Sequence, residues 1–401
     1  MVDERMETRL TAFLAKAGTV MTAVGRGPPG KERLGPAERN SRVGVARGRC
    51  RKFGALLSTF QVAPFRPPPM IRNHHAQTIL GVLFPRVQPV GYQRKILETP
   101  CGDQLRLDVL EPTVPVEDEA MTVVFAHGLE SNSRTVQSFR IVRAFADRGF
   151  RVYAMNHRGC GLDKPEDHAH FLKEYHLGFT DDLELVVKHV KSQHPNTRIL
   201  LSGFSLGGNM VCKFLGEIGE RASELGIIGA AVTSVPFDLP NNQAKVNRPF
   251  TKHVYMARFL KSLKTRALAK RRHFESKGVV DFDKIEQART VGEFDEAYIA
   301  KVYGFDCRHD YYKRADSKPY LKRIRVPTFV LQAVDDPFIE ITSIPADEDL
   351  EEAPVLIHVT SGGGHCGFVD RFSGPGYMAT ELARWLSHVR DGLQESGDKQ
   401  A

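Results

Sequence analysis

Residues 198–209 read Arg-Ile-Leu-Leu-Ser-Gly-Phe-Ser-Leu-Gly-Gly-Asn, and the reading of this stretch decides the fold. Arg198 to Ser202 is an apolar run of the length of a short buried strand. Asn209 to Ile218 has the spacing of an amphipathic helix. Between them, Gly203-Phe-Ser-Leu-Gly207 fits G-x-S-x-G in the strand, turn and helix context that gives the pattern meaning. Such an elbow holds its serine in a strained turn with the hydroxyl above the sheet. Residues without bulk are needed two positions to either side, here Gly203 and Gly207. At the start of a helix the serine also meets unpaired backbone N–H groups and the positive end of the helix dipole, which favour a developing oxyanion.

Outward from the elbow, apolar runs alternate with helical ones. Met121 to Ala126 reads as a strand buried on both faces and ends in His127-Gly-Leu-Glu130. Helix 136–147, strand 150–155, the loop Asn156-His-Arg-Gly-Cys-Gly161 and helix 180–191 follow. Beyond the elbow come strands at 227–235, 326–332 and 355–360 and a last helix at 377–389. Strands at 94–99 and 104–110 around Cys101-Gly-Asp103 predict a hairpin. The alternation predicts an α/β fold with a mostly parallel central sheet and helices on both faces, and the nucleophile-type elbow within it points to the α/β-hydrolase type. Ligands then bind at the carboxyl ends of the strands. Residues 238–325 show helical periodicity without a strand, which predicts a helical lid insertion.

Three strand ends offer Ser205, an aspartate and His365 in the chain order Ser, Asp, His of this fold. A serine hydroxyl is a weak nucleophile at neutral pH. It needs a histidine to take its proton and a carboxylate to fix the imidazole tautomer. Asp336, directly before Pro337, is the first choice for the acid, with Asp335 as runner-up. The backbone N–H groups of Leu206 and Leu129 are the expected oxyanion donors, and His127 reads as a brace for its loop.

The formal charge of +8 over 401 residues comes without zinc-finger spacing, a basic zipper or an RNP-like run, so no nucleic-acid partner is expected. Six scattered cysteines without C-x-x-C fit a reducing compartment. Residues 1–60 lack a hydrophobic period and any apolar run of membrane-spanning length. They read as a disordered basic extension of a cytoplasmic protein, with organellar targeting as the alternative. The hydrolase domain is expected over 61–395 and a tail over 396–401. The helix around 259–272 carries Lys261, Lys264, Lys270, Arg271 and Arg272 opposite its apolar side, which reads as a solvated lid face with peripheral contact to an anionic membrane as the alternative. His75 could serve a site, yet no second ligand lies at zinc-like spacing, and no metal is expected.

Eight segments together resemble the YheT-like branch of the α/β-hydrolases, which includes the mammalian abhydrolase-domain proteins one and three. They are Arg72-Asn-His-His-Ala-Gln-Thr78, His127-Gly-Leu-Glu130, Asn156-His-Arg-Gly-Cys160, Thr180-Asp-Asp-Leu183, Gly203-Phe-Ser-Leu-Gly-Gly-Asn209, Ala288-Arg-Thr with Glu293-Phe-Asp295, Asp335-Asp-Pro-Phe338 and Gly363-Gly-His-Cys-Gly-Phe368. The resemblance spans Phe65 to the last helix and departs from the usual pattern at His74, Ala76 and Ser131. It implies Asp336 as the acid and cofactor-free hydrolysis of a small ester or lipid, a short-chain ester or a monoacylglycerol. Two rivals stand beside it. An acyltransferase is suggested by His176-Leu-Gly-Phe-Thr-Asp181, a match to H-x-x-x-x-D, and a non-catalytic binding protein could keep the same fold.

Overall fold

A computed structural model describes residues 43–84, 87–116, 119–162, 165–275 and 278–398. In chain order, β1 (Gly44–Arg47) and helix α1 (Gly54–Thr59) precede α2 (His74–Leu80), β2 (Gln93–Glu98), β3 (Gln104–Leu110) and β4 (Thr122–Ala126). Next come α3 (Val136–Ala146), β5 (Arg151–Asn156), α4 (Asp181–Gln193), β6 (Ile199–Phe204), α5 (Leu206–Ile218) and β7 (Ile227–Thr233). The chain between β7 and β8 is helical from Leu239–Val246 to Lys318–Arg323 and includes α6 (Ala257–Ala269). The sheet then resumes with β8 (Thr328–Ala333) and β9 (Val355–Thr360), and α7 (Gly376–Asp398) closes the domain.

The nine strands lie in the order β1-β9-β8-β7-β6-β4-β5-β3-β2. All pairings from β9 through β5 are parallel, whereas β1 and the β2–β3 hairpin add antiparallel edges. Strict alternation along each strand divides the sheet between two cores. Val124, Ala126, Leu201, Val232 and Val330 face a core completed by α4 and α5. Val123, Phe125, Leu200, Ala231 and Leu331 face one completed by α3, α7 and Leu57 of α1. That alternation is hidden in the sequence because both faces are buried, so apolar residues occupy both sides of each strand. After β4 the chain pairs first with β5 on one side and then with β6 on the other. The crevice at that reversal lies outside the carboxyl ends of β4 and β6, directly below Ser205.

The domain begins earlier than residue 61. Gly44–Arg47 pairs antiparallel with Leu356–Val359, and Phe60 packs edge-on against Trp385 and Phe329 at centroid distances of 5.0 and 5.4 Å. The expected extension over 1–60 is corrected for its last part: this segment covers the otherwise open edge of β9. A four-residue strand with Val45 exposed carries too little periodicity to be read from sequence. The tail is also shorter than expected, since α7 runs to Asp398. The part of the extension over 1–42, with its targeting alternative, lies outside the described residues.

Candidate active site

The turn after β6 is tightly enclosed by backbone. Ser205 sits at φ 53°, ψ −123°, a conformation that non-glycine residues avoid and that only a constraining surround maintains. A side chain at Gly207 would place its Cβ 2.2 Å from the Ala126 carbonyl oxygen, and one at Gly203 would lie 2.7 Å from the Gly207 backbone. The two glycines therefore let α5 start against the end of β4. The turn after β4 is equally close, since a Cβ on Gly128 would come within 3.2 Å of Ser205 Cβ.

Two loops bring the partners. The Ser205 hydroxyl lies 2.8 Å from His365 Nε2, and His365 Nδ1 donates to Asp336 Oδ2 at 2.7 Å. The second oxygen of Asp336 accepts the Phe338 N–H at 2.8 Å, so both carboxylate oxygens are held and the Asp-Asp-Pro-Phe turn fixes its own acid. Asp335 points elsewhere and accepts the Gly364 N–H at 2.9 Å, anchoring the glycine loop that carries His365. Burial, helped by the neighbouring Asp336 charge, pushes the Asp335 carboxyl up to about 6. The His365 imidazole is buried, which opposes its charging, but the Asp336 carboxylate against Nδ1 outweighs this and raises its pKa above the usual histidine range.

The motif at 72–78 holds the same loop from the other side. Thr78 Oγ1 accepts the His365 N–H at 3.0 Å while donating to His74 O. Gln77 receives the Val369 N–H and donates to the carbonyls of Ile71 and Val369. Sequence reasoning fixed on His75 here and missed Gln77 and Thr78. An amide and a hydroxyl adjacent in a segment laid over a surface were the available signal. His75 itself shares a hydrogen bond with Tyr255 Oη at 3.2 Å and stacks near Phe250. Phe338 covers the His365 ring at 4.3 Å and joins Phe250, Tyr255, Met256 and Phe259 in an apolar patch.

Leu129 and Leu206 meet in one apolar cluster with Cys160, Tyr175 and Met210, which sets the two predicted oxyanion turns side by side. His127 braces its loop: Nδ1 is 2.8 Å from Gly128 O, and Nε2 accepts the His157 N–H. Burial holds His127 well below the usual histidine range, so it stays neutral. His176, the acyltransferase candidate, is enclosed by Tyr303, Phe305 and Tyr311, and burial lowers it to about 3. It caps its own loop, accepting the Gly178 N–H, and makes no hydrogen bond to Ser205, His365 or Asp336.

The predicted basic face of the insertion is corrected. Lys270 is 1 % exposed and pairs with Glu174, Lys264 donates to the carbonyls of Glu286 and Ala288, and Arg271 pairs with Glu286. Lys261 and Arg272 are the members of that group left exposed. The spacing predicts the helix, but around its C-terminal half the helix Phe282–Gln287 and the Glu174 segment, rather than water, meet Lys264, Lys270 and Arg271. Among the described residues no helix is long and apolar enough to cross a membrane, and no cluster of three His, Cys, Asp or Glu side chains is arranged to hold a metal.

Comparison with known proteins adds the following. Residues 117–371 match the Hydrolase_4 family, described as serine aminopeptidase, S33. The chain is 31 % identical over 308 residues to YheT of Escherichia coli (strain K12), whose name assigns it esterase activity provisionally, covering 77 % of this chain and 87 % of that one. It is 28 % identical over 301 residues to the phospholipase ABHD3 of Homo sapiens, covering 73 % and 71 %. It is 28 % identical over 378 residues to a monoacylglycerol lipase of Saccharomyces cerevisiae (strain ATCC 204508 / S288c), covering 82 % of each.

Proposed function

The chain belongs to the Hydrolase_4 family of the α/β-hydrolase superfamily, and from that premise we propose that Ser205, His365 and Asp336 are its catalytic triad, with the N–H groups of Leu129 and Leu206 as oxyanion donors. The protein is a serine hydrolase that cleaves carboxylic esters. The observation that carries the residue assignment is the unbroken relay from Ser205 Oγ through His365 to Asp336, at 2.8 and 2.7 Å.

In the reaction, Ser205 Oγ attacks the ester carbonyl as its proton passes to His365 Nε2. The carbonyl oxygen becomes an anion facing the two amides, of which Leu206 opens a helix whose first N–H groups lack intrahelical acceptors. Collapse expels the alkoxide, which takes the proton from His365, and leaves an acyl-serine. Water, deprotonated by His365, repeats the sequence, releases the acid and restores the hydroxyl. Asp336 keeps the Nδ1–H tautomer and stabilises the imidazolium at both steps.

The substrate class follows from what surrounds His365. Phe338, Phe250, Met256 and Phe259 form an apolar wall beside the catalytic histidine, suited to an acyl chain. This supports a short-chain ester or a monoacylglycerol-like lipid, in keeping with the names of the bacterial and yeast relatives. An acyltransferase reading loses its motif, because His176 is sealed among aromatic rings.

The test is labelling with a fluorophosphonate probe followed by turnover of a panel of esters. Labelling and turnover in the wild type, both lost in Ser205→Ala, sustain the assignment. An unlabelled wild type points to a binding protein with this fold. Labelling without hydrolysis, with acyl transfer to added glycerol, would restore the acyltransferase.

A further inference from the structure

Arg266 is a long cation on the helical insertion, 4 % exposed, and no part of the relay touches it. Its guanidinium reaches the loops after two sheet strands. Nη1 donates to Glu130 Oε1 at 2.9 Å, on the loop after β4, and contacts Cys160 Sγ at 3.2 Å, on the loop after β5. Nη2 donates to the Arg158 carbonyl at 2.7 Å and to Glu174, which also holds Lys270. Gly159 is needed for this seat: it has φ 68°, and a Cβ there would lie 2.8 Å from Nη2. Much of Asn156-His-Arg-Gly-Cys160, a motif the reaction does not use, thus becomes a receptacle for one arginine.

Glu130 is the other half. It sits at φ 51°, outside the ordinary range for a side chain of its size. Its N–H donates to Tyr175 Oη at 2.8 Å, and Tyr175 Oη donates back to Glu130 Oε1 at 2.9 Å. Ser262, one turn before Arg266 on α6, donates to the second carboxylate oxygen. The N–H bond fixes the Leu129–Glu130 peptide and the carboxylate bonds hold the Glu130 side chain; the peptide before it, which carries the Leu129 N–H, is held through its Gly128 carbonyl by the Ser131 N–H at 3.3 Å, so both peptides flanking Leu129 are fixed.

We infer that Arg266 is a positioning residue for the reaction: through Glu130 it sets the Leu129 N–H toward the oxyanion, so that the helical insertion is wired into the catalytic turn it covers. The planar fork is required because its two nitrogens hold acceptors on two loops at a fixed separation, Nη1 on one side and Nη2 on the other, which the single Nζ of a lysine cannot reproduce. The inference rests on the ester-hydrolase reading above and deepens it.

The experiment compares wild type, Arg266→Lys, Glu130→Gln and the double variant. It uses steady-state kinetics on a soluble ester, thermal melting, and inhibition by a trifluoromethyl ketone. That ketone adds Ser205 Oγ across its carbonyl, passes the hydroxyl proton to His365 and leaves an anion where the reaction places one. Arg266→Lys keeps the charge that Glu130 and Glu174 need. Its kcat is expected to fall about 10- to 100-fold with KM within about twofold of wild type, less than the loss of a whole oxyanion donor. Affinity for the ketone should fall by the same factor as kcat. The double variant should be no slower than the worse single one, because the two residues act in one chain of contacts. An unchanged kcat in Arg266→Lys, losses confined to KM with ketone affinity intact, or losses that multiply in the double variant would each overturn the inference. If Arg266→Lys does not fold, Glu130→Gln decides alone: an unchanged kcat defeats the inference and a matched loss of kcat and ketone affinity sustains it. A wild type whose turnover survives Ser205→Ala would instead refute the reading beneath it.

Discussion

At the ends of β4, β6, β8 and β9 the reacting groups are placed by backbone, whereas the helical insertion above them is held by buried charge. The nucleophile is fixed by Gly203 and Gly207, whose missing side chains leave 2.7 and 2.2 Å to backbone atoms. The acid is fixed by the Phe338 amide and the base by the Thr78 hydroxyl. In the insertion, by contrast, Arg266 and Lys270 of one layer meet Glu130 and Glu174 of the other. Backbone placement leaves no alternative arrangement, while a buried ion cluster is all or none: removing one partner strands the other. The sheet end thus serves as a rigid template, and the insertion as a cover whose register depends on complete charge pairing.

The sharpest break in this comparison is at the template. Ser205→Ala is expected to lower ester turnover by about 10⁴-fold or more. The melting temperature should stay close to wild type, since the change removes only the hydroxyl and its bond to His365 Nε2. More than a few per cent of residual rate in the purified variant would remove Ser205 from the nucleophile role. Asp336→Asn should cost about 10³- to 10⁴-fold through the wrong imidazole tautomer. Asp335→Asn should cost far less, because its Gly364 contact needs only an acceptor oxygen. Equal losses would mean that the two carboxylates share the role.

The same pair fixes a pH effect. His365 must be neutral to accept the serine proton, and its pKa is raised by the Asp336 carboxylate despite burial. Activity should therefore climb with pH through a limb lying above that of an ordinary histidine. Asp336→Asn should move the residual activity's limb to lower pH, since the group that favours the protonated ring is gone. A limb that stays put in the kcat/KM profile would assign the titration to another group.

Gly207→Ala breaks the template by volume. Its Cβ cannot coexist with the Ala126 carbonyl at 2.2 Å, so the elbow must shift. Overpacking of this kind costs about 1 to 3 kcal/mol. Melting should reveal the loss together with a large drop in kcat.

Much of the template was legible beforehand because its constraints are local. G-x-S-x-G, Asp-Asp-Pro and Gly-Gly-His each carry their meaning within a few residues, and the parallel sheet announced itself through apolar runs between amphipathic helices. The insertion was legible as helical but not in its contacts. Glu130 lies 136 residues from Arg266, and Glu174 lies 92 and 96 residues from its two cations. A helical wheel ranks a lysine as solvent-facing whatever the fold brings opposite it, so Lys270 was misread and Arg266 passed over. β1 escaped for a different reason. Its pairing with β9 lies in backbone hydrogen bonds, to which the side chains of Gly44–Arg47 give no pattern.

The smallest expected effect is on the outer surface of that insertion. Lys261 and Arg272 are exposed, and among the described residues neither side chain forms a hydrogen bond or ion pair. Exposed charges of this kind act over a Debye length of about 8 Å at physiological ionic strength and contribute little to folding. Replacing both with Gln should leave melting and turnover of a soluble ester within experimental error of wild type. If the predicted basic face nevertheless meets an anionic bilayer, these two are the members of it exposed to do so. Turnover of monoacylglycerol in anionic vesicles would then fall in the double variant and lose its dependence on salt. Equal activity on vesicles and on soluble ester, with and without salt, would leave Lys261 and Arg272 an ordinary solvated face, in contrast to the buried Lys270 and Arg266.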